Sequence, residues 1–231
     1  MNVRIDDRAG VDVSVAIPHQ KEVTREEMVQ MKATTMRPSH ATQRLVAIPM
    51  LAAVAFVLQY LEFPVPLLPP FLKLDFSTLP ALIGGLLYGP VAGVLVEVLK
   101  NTLHMLLKNT DGLLIGEAAN VVAGASFILA AIYLQRRGMG KKGFAAGLVL
   151  GTVLMTAVMA AANAYFLLPA YAALYQVSLE QLLAQFQADS VWSFVLYSIV
   201  PFNILKGVVL SLAAYPLYVK LSGRLNLRMT N

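Results

Sequence analysis

Three polar side chains stand in the last two apolar stretches of the chain and are candidates for ligand binding. Asn163 precedes the segment AYFLLPAY, and Asn203 and Lys206 lie about one helical turn apart in the segment NILK. An amide presents a donor beside an acceptor, so it matches a ligand edge that carries N–H next to C=O. The lysine adds a donor for a second carbonyl or a ring nitrogen. Alternatively, Lys206 extends to water from near a helix end, as long cationic side chains do in membranes.

A second group of polar residues lies on one face of an apolar helix: Glu97, Lys100, Asn101 and His104. A charge near the centre of a bilayer costs roughly 2.5–3.5 kcal/mol, so it requires a partner or a function. Glu97 can reach Lys100 or Asn101 within one turn of the helix. Two interpretations stay open, an internal ion pair that holds helices together and a role in ligand binding.

The segment GEAAN places Glu117 and Asn120 three residues apart, on one face of a helix. Gly116 and Gly124 leave space beside them. We expect Glu117 to be an unpaired acid near the outer entrance of a pocket, where it suits the hydroxyl groups of a ligand. A contact between helices is the alternative.

The composition indicates that membrane helices position these residues. Of the 231 residues, 58% are hydrophobic and 13% are charged, whereas soluble domains are about a quarter charged. The absence of cysteine excludes disulfides, thiolate metal sites and cysteine nucleophiles. The motifs GxxxxGK(S/T), HExxH and GxSxG are also absent. We therefore expect a binding protein rather than an enzyme, with no metal site and no resident cofactor.

Six apolar segments approach the roughly 20 residues that a transmembrane helix requires. They run over residues 44–61, 77–88, 91–107, 113–134, 143–168 and 191–219. The second is short because GPVAG interrupts it, and the turn KNTDG separates the third from the fourth. The predicted fold class is all-α, a polytopic membrane protein with a bundle of six transmembrane helices.

The basic residues predict the orientation of this bundle. Fourteen of the 18 Lys and Arg lie before residue 45, within residues 136–142, or from Lys220 onward. Six spans with both termini in the cytoplasm place all fourteen on the inner side, in agreement with the positive-inside rule. Because these residues flank apolar spans, nucleic acid is not an expected partner. The predicted divisions are a polar N-terminal tail (1–43), a membrane domain (44–221) and a short basic C-terminal tail (222–231).

One long block of sequence carries a resemblance to a known family. Residues 62–107, EFPVPLLPPFLKLDFSTLPALIGGLLYGPVAGVLVEVLKNTLHMLL, closely resemble the riboflavin-specific substrate-binding subunit, or S component, of energy-coupling factor (ECF) transporters. GE.AN at 116–120, N.YFLLP at 163–169 and NILK at 203–206 are similar to later parts of that family. The resemblance covers about residues 44–220. It implies a six-helix bundle with an outward-open vitamin pocket, over which the loop between the first two helices acts as a lid.

The resemblance also implies partners and contacts. Transport requires a separate transmembrane coupling subunit and two ATPase subunits, which fits the missing phosphate-binding loop. Family members meet the imide edge of the flavin with polar residues like Asn163, Asn203 and Lys206. S components often dock the coupling subunit through an Ala-xxx-Ala pair on the first helix, and this chain has no clean pair there. The remaining candidates for docking are Ala47, Ala52 and Ala55.

The proline-rich loop between the first two helices suits a lid over an apolar ring. Proline has no backbone N–H, so the four prolines at positions 64, 66, 69 and 70 leave few donors that a bound ring would bury unmet. Apolar side chains would cover the ring, and charged ones would latch the loop to the rim. The loop residues predicted to act in binding are Glu62, Phe63, Leu67, Phe71, Leu72, Lys73 and Asp75. A rigid connector that shields the bundle is the alternative.

These observations together predict a high-affinity riboflavin-binding subunit of an ATP-driven ECF transporter in the cell membrane of a prokaryote. It would bind the vitamin outside and release it inward, with the ribityl hydroxyls meeting Glu117 and Asn120. Riboflavin is the transported substrate in this interpretation, not a cofactor. The alternatives are an S component for another vitamin, and a stand-alone carrier that uses Glu97 and His104 as a proton relay.

Overall fold

The computed structural model describes Thr24 and residues 40–108, 114–137 and 140–225. Most of the predicted N-terminal tail (1–43), most of the KNTDG turn and the last six residues of the predicted C-terminal tail lie outside the described residues. Helix is the dominant element, and the only strands in the described part of the chain form one two-stranded sheet. The predicted all-α class is therefore confirmed.

The elements are numbered here in chain order. They are α1 (His40–Tyr60), β1 (Phe63–Pro64), β2 (Lys73–Leu74), α2 (Thr78–Tyr88), α3 (Pro90–Leu107), α4 (Leu114–Arg136), α5 (Gly140–Ala162), a π-helical turn (Asn163–Leu167), α6 (Leu168–Leu174), α7 (Leu179–Gln185), α8 (Val191–Phe194), a second π-helical turn (Val195–Ile199) and α9 (Val200–Leu225). Helix α9 therefore runs into the predicted C-terminal tail.

Five helical stretches in the described residues are long and apolar enough to cross a membrane. They are Thr42–Tyr60, Pro90–Leu107, Leu114–Arg136, Gly140–Leu174 and Val191–Gly223. The second predicted span is the apolar helix α2, which has only 11 residues. It ends there because Gly89, with a φ of 106°, breaks the helix and Pro90 begins the next one. In the described part of the chain the bundle thus has five full-length helices and one short one.

Small residues let the helices of the bundle approach closely. A Cβ added at Gly93 on α3 would lie 2.9 Å from the carbonyl oxygen of Ala81 on α2. A Cβ added at Gly147 on α5 would lie 2.5 Å from the carbonyl oxygen of Ala131 on α4. Close backbone contact of this kind drives helix association in lipid, where apolar burial gives little preference for protein neighbours.

A loop of residues 61–77 joins α1 to α2 and is called the α1–α2 loop below. Its two short strands pair antiparallel, with Phe63 opposite Leu74 and Pro64 opposite Lys73. The turn between them is closed by backbone hydrogen bonds, among them Leu72 N–H to the carbonyl of Pro69 at 2.9 Å. The proline-rich segment is therefore a compact hairpin.

The three alanines predicted as docking residues lie on α1, and two of them do not face outward. Ala52 is 1% exposed and Ala55 is 0% exposed, because both pack into the core. A surface that receives another subunit must be accessible, and these two side chains offer no such surface in this structure, so docking through them stays a prediction. Ala47 is half-buried, and its role stays a prediction.

Candidate ligand-binding site

A pocket opens at the end of the bundle where the α1–α2 loop lies. It holds about 910 Å³ of atom-free space, including the part that is open to solvent. Nine of the predicted binding residues line it, and they come from four separate regions of the chain. They are Glu62, Phe71, Leu72, Lys73, Glu117, Asn120, Asn163, Asn203 and Lys206.

Three predicted binding residues of the α1–α2 loop do not line the pocket. Leu67 stands at the tip of the hairpin with its side chain fully exposed, and Phe63 is half exposed. Asp75 is buried behind the pocket wall at 2% exposure. Contact of these three side chains with a ligand stays a prediction.

Two asparagines present amide groups to the pocket in the same way. Asn163 begins the first π-helical turn and donates its Nδ2–H to the carbonyl of Met159 at 2.8 Å. Asn203 on α9 donates its Nδ2–H to the carbonyl of Ile199, also at 2.8 Å. Each bond to the carbonyl four residues earlier fixes the amide plane. Each amide keeps its own carbonyl oxygen and a second N–H, which are an acceptor and a donor side by side.

Lys206 is held inside the bundle and does not extend to water. Its Nζ lies 3.2 Å from Asp75 Oδ2 and 3.0 Å from Asn120 Oδ1, and it lines the pocket wall. An ammonium has three N–H donors, so two point at these oxygens and one is left for the pocket. The alternative in which Lys206 extends to water is therefore wrong.

Asp75 owes its ionised state to its neighbours. Burial would raise the pKa of its carboxyl, but Lys206 and Lys100 and hydrogen bonds from Ser77 outweigh that effect and hold the pKa well below its usual range. The backbone N–H of Ser77 donates to Asp75 Oδ1 at 2.7 Å, and the Ser77 hydroxyl donates to the same oxygen. A buried carboxylate with these partners is a fixed negative charge behind the pocket wall.

Acidic and basic side chains meet at the mouth of the pocket. Glu117 Oε1 lies 2.6 Å from His104 Nδ1, and Gln59 Nε2 donates to Glu117 Oε2 at 3.1 Å. The expectation of an unpaired acid at position 117 is therefore wrong. His104 comes from α3 and Gln59 from the end of α1, so packing between helices supplies both partners.

Glu62 takes the other side of the mouth. Its Oε1 lies 3.2 Å from Lys73 Nζ, 3.6 Å from Lys108 Nζ and 3.8 Å from His104 Nε2. His104 thus stands between two carboxylates. The pair of Lys73 with Glu62 lies within the α1–α2 loop, so it is not the predicted latch by Lys73 to the rim. Asp75 does attach the loop to the bundle, through Lys206 on α9.

The ion pair that the sequence suggested on α3 lies outside the pocket. Glu97 Oε1 is 2.6 Å from Lys100 Nζ, and both side chains are about 1% exposed. Gly124 on α4 makes room for this pair, because a Cβ there would overlap the Glu97 carboxylate. Of the two interpretations left open by the sequence, the structure supports the internal ion pair.

Several pocket residues were missed in the sequence. The aromatic rings of Tyr171 and Phe202 line the pocket. His104 lines it too, and the sequence had left a binding role open for it. Tyr171 stands at the end of AYFLLPAY and Phe202 precedes Asn203, so proximity to a predicted site residue was the available signal. Gln59 does not line the pocket, but it supports Glu117 from behind, and a buried amide in an apolar helix was a clearer signal because it requires partners.

Comparisons with known proteins agree with this geometry. The sequence model of the family described as "ECF transporter, substrate-specific component" matches residues 43–218. The riboflavin transporter RibU of Staphylococcus aureus (strain TCH60) is 39% identical over 180 residues, covering 78% of this chain and 90% of that protein. The riboflavin transporter FmnP of Bacillus subtilis (strain 168) is 39% identical over 181 residues, covering 78% and 92%.

A solved structure agrees as well. The protein described in "Structure and mechanism of the S component of a bacterial ECF transporter" superposes with a TM-score of 0.67 at 37% identity, over 80% of this chain and 99% of that one. The fold and the pocket define a multi-pass membrane protein that binds a small molecule. The chain belongs to the substrate-specific components of ECF transporters, which are transport proteins and not enzymes. A stand-alone proton-coupled carrier is not favoured.

Proposed function

We propose that this chain binds riboflavin in its pocket as the vitamin-binding subunit of an ATP-driven ECF transporter. The observation that carries the proposal is the convergence of Asn163, Asn203 and Lys206 on one pocket wall. The riboflavin transporters of Staphylococcus aureus and Bacillus subtilis, each 39% identical to this chain, support the choice of vitamin.

The chemistry of the wall suits the imide edge of a flavin, where an N–H lies between two carbonyl groups. An asparagine carbonyl oxygen accepts from the imide N–H, and an asparagine N–H donates to a flanking carbonyl. The third N–H of Lys206 donates to the other carbonyl. All three protein groups are oriented before the ligand arrives, so little side-chain freedom is lost on binding.

The polar mouth suits the hydroxylated tail of the vitamin. Asn120, Glu117 and His104 offer acceptors and donors along one side of the pocket, and a ribityl chain needs several of each. The ring itself would lie under Phe71 and Leu72 of the α1–α2 loop. Burial of a flat apolar ring there supplies most of the affinity, while the polar contacts fix its orientation.

The transport cycle requires partners that supply the energy. In this proposal a transmembrane coupling subunit and two ATPase subunits bind the chain, which captures riboflavin outside and releases it inside. Both termini lie in the cytoplasm, in keeping with the basic residues that flank the spans. Riboflavin is cargo and leaves unchanged, so no resident cofactor takes part.

The test is an equilibrium titration of the purified protein with riboflavin, followed by quenching of flavin fluorescence. Asn203→Ala should weaken binding by about 1–3 kcal/mol, because flavin polar groups are then buried without a partner. Thr156→Ala is the matched control: Thr156 bonds the carbonyl four residues earlier at 2.8 Å, as Asn203 does, but lies outside the pocket lining. It should bind riboflavin like the parent.

Two results would contradict the proposal at different levels. If the parent protein neither quenches nor retains riboflavin, the vitamin assignment is wrong. If the parent binds riboflavin and Asn203→Ala binds it equally well, the vitamin stands and its placement against α9 is wrong.

A further inference from the structure

A row of buried charged and polar groups runs from the pocket wall into the helix bundle. Lys206 faces the pocket and pairs with Asp75 at 3.2 Å. Asp75 accepts from Ser77, whose hydroxyl also meets Lys100 Nζ. Lys100 in turn pairs with Glu97 at 2.6 Å. All five residues are at least 95% buried, so water screens these charges little.

The charges in this row cancel in pairs, which has a consequence for the pocket. Among the described residues of this row, two ion pairs form: Lys206 with Asp75, and Lys100 with Glu97. The ammonium that meets a ligand is therefore already neutralised by a carboxylate behind it. It offers a hydrogen bond without offering an uncompensated positive charge.

We propose that Asp75 is a positioning and specificity-determining residue that acts through Lys206, so that the pocket accepts an uncharged ring carbonyl and disfavours an anionic ring. This inference rests on the proposed riboflavin function. Asp75 lies outside the pocket lining, and it affects the ligand in two ways. It holds the ammonium of Lys206 against Asn120 so that one N–H points inward, and it balances the charge of that ammonium.

The flavin ring provides its own reporter, because its imide N–H ionises in alkaline solution and the absorption spectrum changes. An uncompensated ammonium beside the imide edge would stabilise that anion. In Asp75→Asn the charge on the wall rises by one, so bound riboflavin should ionise about one pH unit lower than in the parent, a tenfold change in the equilibrium. The other charged groups around the pocket, Glu62, Glu117, Lys73, Lys108 and His104, are unchanged in this comparison.

Two further variants separate charge balance from structural damage. Asp75→Glu keeps the carboxylate, so bound riboflavin should titrate close to the parent. The double variant Asp75→Asn with Lys206→Met restores a neutral wall, so the titration should return towards that of the parent although two buried residues have changed. Glu97→Gln is the matched control, since it makes the same carboxylate-to-amide change at the end of this row of buried groups that is farthest from the pocket. It should shift the titration by less than half as much as Asp75→Asn.

The experiment is a spectrophotometric pH titration of riboflavin bound to each purified variant. The proposal is overturned if riboflavin bound to Asp75→Asn ionises at the same pH as in the parent. It is also overturned if the double variant shows the same ionisation pH as Asp75→Asn. It also falls if the parent does not bind riboflavin, but that result is visible before any variant is made and counts against the proposed function itself. If Asp75→Asn does not fold, comparison of Asp75→Glu and the double variant with the parent decides the matter, since both must then match it.

Discussion

The two halves of the α1–α2 loop have similar compositions and opposite surroundings. Residues 61–69 place Leu61 and Phe63 largely in the open and Leu67 wholly so. Residues 70–77 bury Leu72, Leu74 and Asp75 to less than 9% exposure. The difference arises from partners on other helices and not from hydropathy. Apolar residues in a loop are thus a poor guide to which of them reach a ligand.

The buried half is attached to the bundle by two kinds of contact. Phe71 meets the rings of Tyr171, Phe186 and Phe194 at centroid distances of 5.8, 5.7 and 6.4 Å. Asp75 pairs with Lys206 on α9. The exposed half is tied mainly through strand pairing and the Lys73–Glu62 pair. We therefore expect any opening of the loop to move the tip while the segment at Asp75 stays in place.

The largest effect on the buried half of the loop is expected when the partner of Asp75 is removed. Lys206→Met should destabilise the protein by about 3–5 kcal/mol, because it leaves a carboxylate buried without its counter-charge. The loss is measured by thermal or denaturant unfolding of the ligand-free protein in detergent.

Lys73→Met is the matched change at the rim. Glu62 keeps Lys108 and His104 nearby, and exposed or partly exposed ion pairs contribute about 0–1 kcal/mol. Lys73→Met should therefore lower the free energy of unfolding much less than Lys206→Met. Equal losses of unfolding free energy would show that the Asp75–Lys206 and Lys73–Glu62 pairs do not differ as the structure indicates.

A smaller effect is expected from the aromatic contacts. Phe71→Ala removes three ring contacts from a partly buried side chain and should cost about 2 kcal/mol, below the 3–5 kcal/mol of a fully buried phenylalanine. Riboflavin should also dissociate faster, because Phe71 and Tyr171 close one side of the pocket. Stopped-flow fluorescence measures the dissociation rate. Phe76→Ala, an exposed phenylalanine of the same loop outside the pocket lining, should leave that rate unchanged.

The smallest effect is expected at the tip of the hairpin. Leu67→Ala should change the free energy of unfolding by less than about 0.5 kcal/mol, as is usual for exposed positions, and leave riboflavin affinity unaltered. The measurement sharpens the contrast, because the sequence predicted that Leu67 covers the ligand. A tenfold loss of affinity would show that the tip closes over bound riboflavin.

The sequence predicted the bundle and most of the pocket wall for clear physical reasons. Apolar spans of known minimum length define the helices, and polar residues inside them, such as Asn163, Asn203 and Glu117, are too costly to lack a role. Prolines confined to one short stretch identified the loop. Each of these signals is local, so one sequence is enough to show it.

What the sequence did not predict depends on the rotation and packing of helices. Asp75 and Lys206 are 131 positions apart and touch only because α9 packs beside the start of α2. The partnership of Glu117 with His104, and the burial of Ala52, likewise depend on which face of a helix turns inward. A uniformly apolar helix carries little information about that rotation, since lipid and core favour the same side chains.

The two π-helical turns affect the width of their helices beside the pocket. Each holds one residue more than a regular turn, and in an α-helix one residue corresponds to a rotation of about 100°. The wide turn absorbs that rotation, so deleting a single residue from Asn163–Leu167 would let the segment close as regular α-helix with Tyr171 still on the side that Asn163 faces. An inserted residue thus widens the helix beside the cavity and leaves intact the register that brings the amide and the aromatic ring to it.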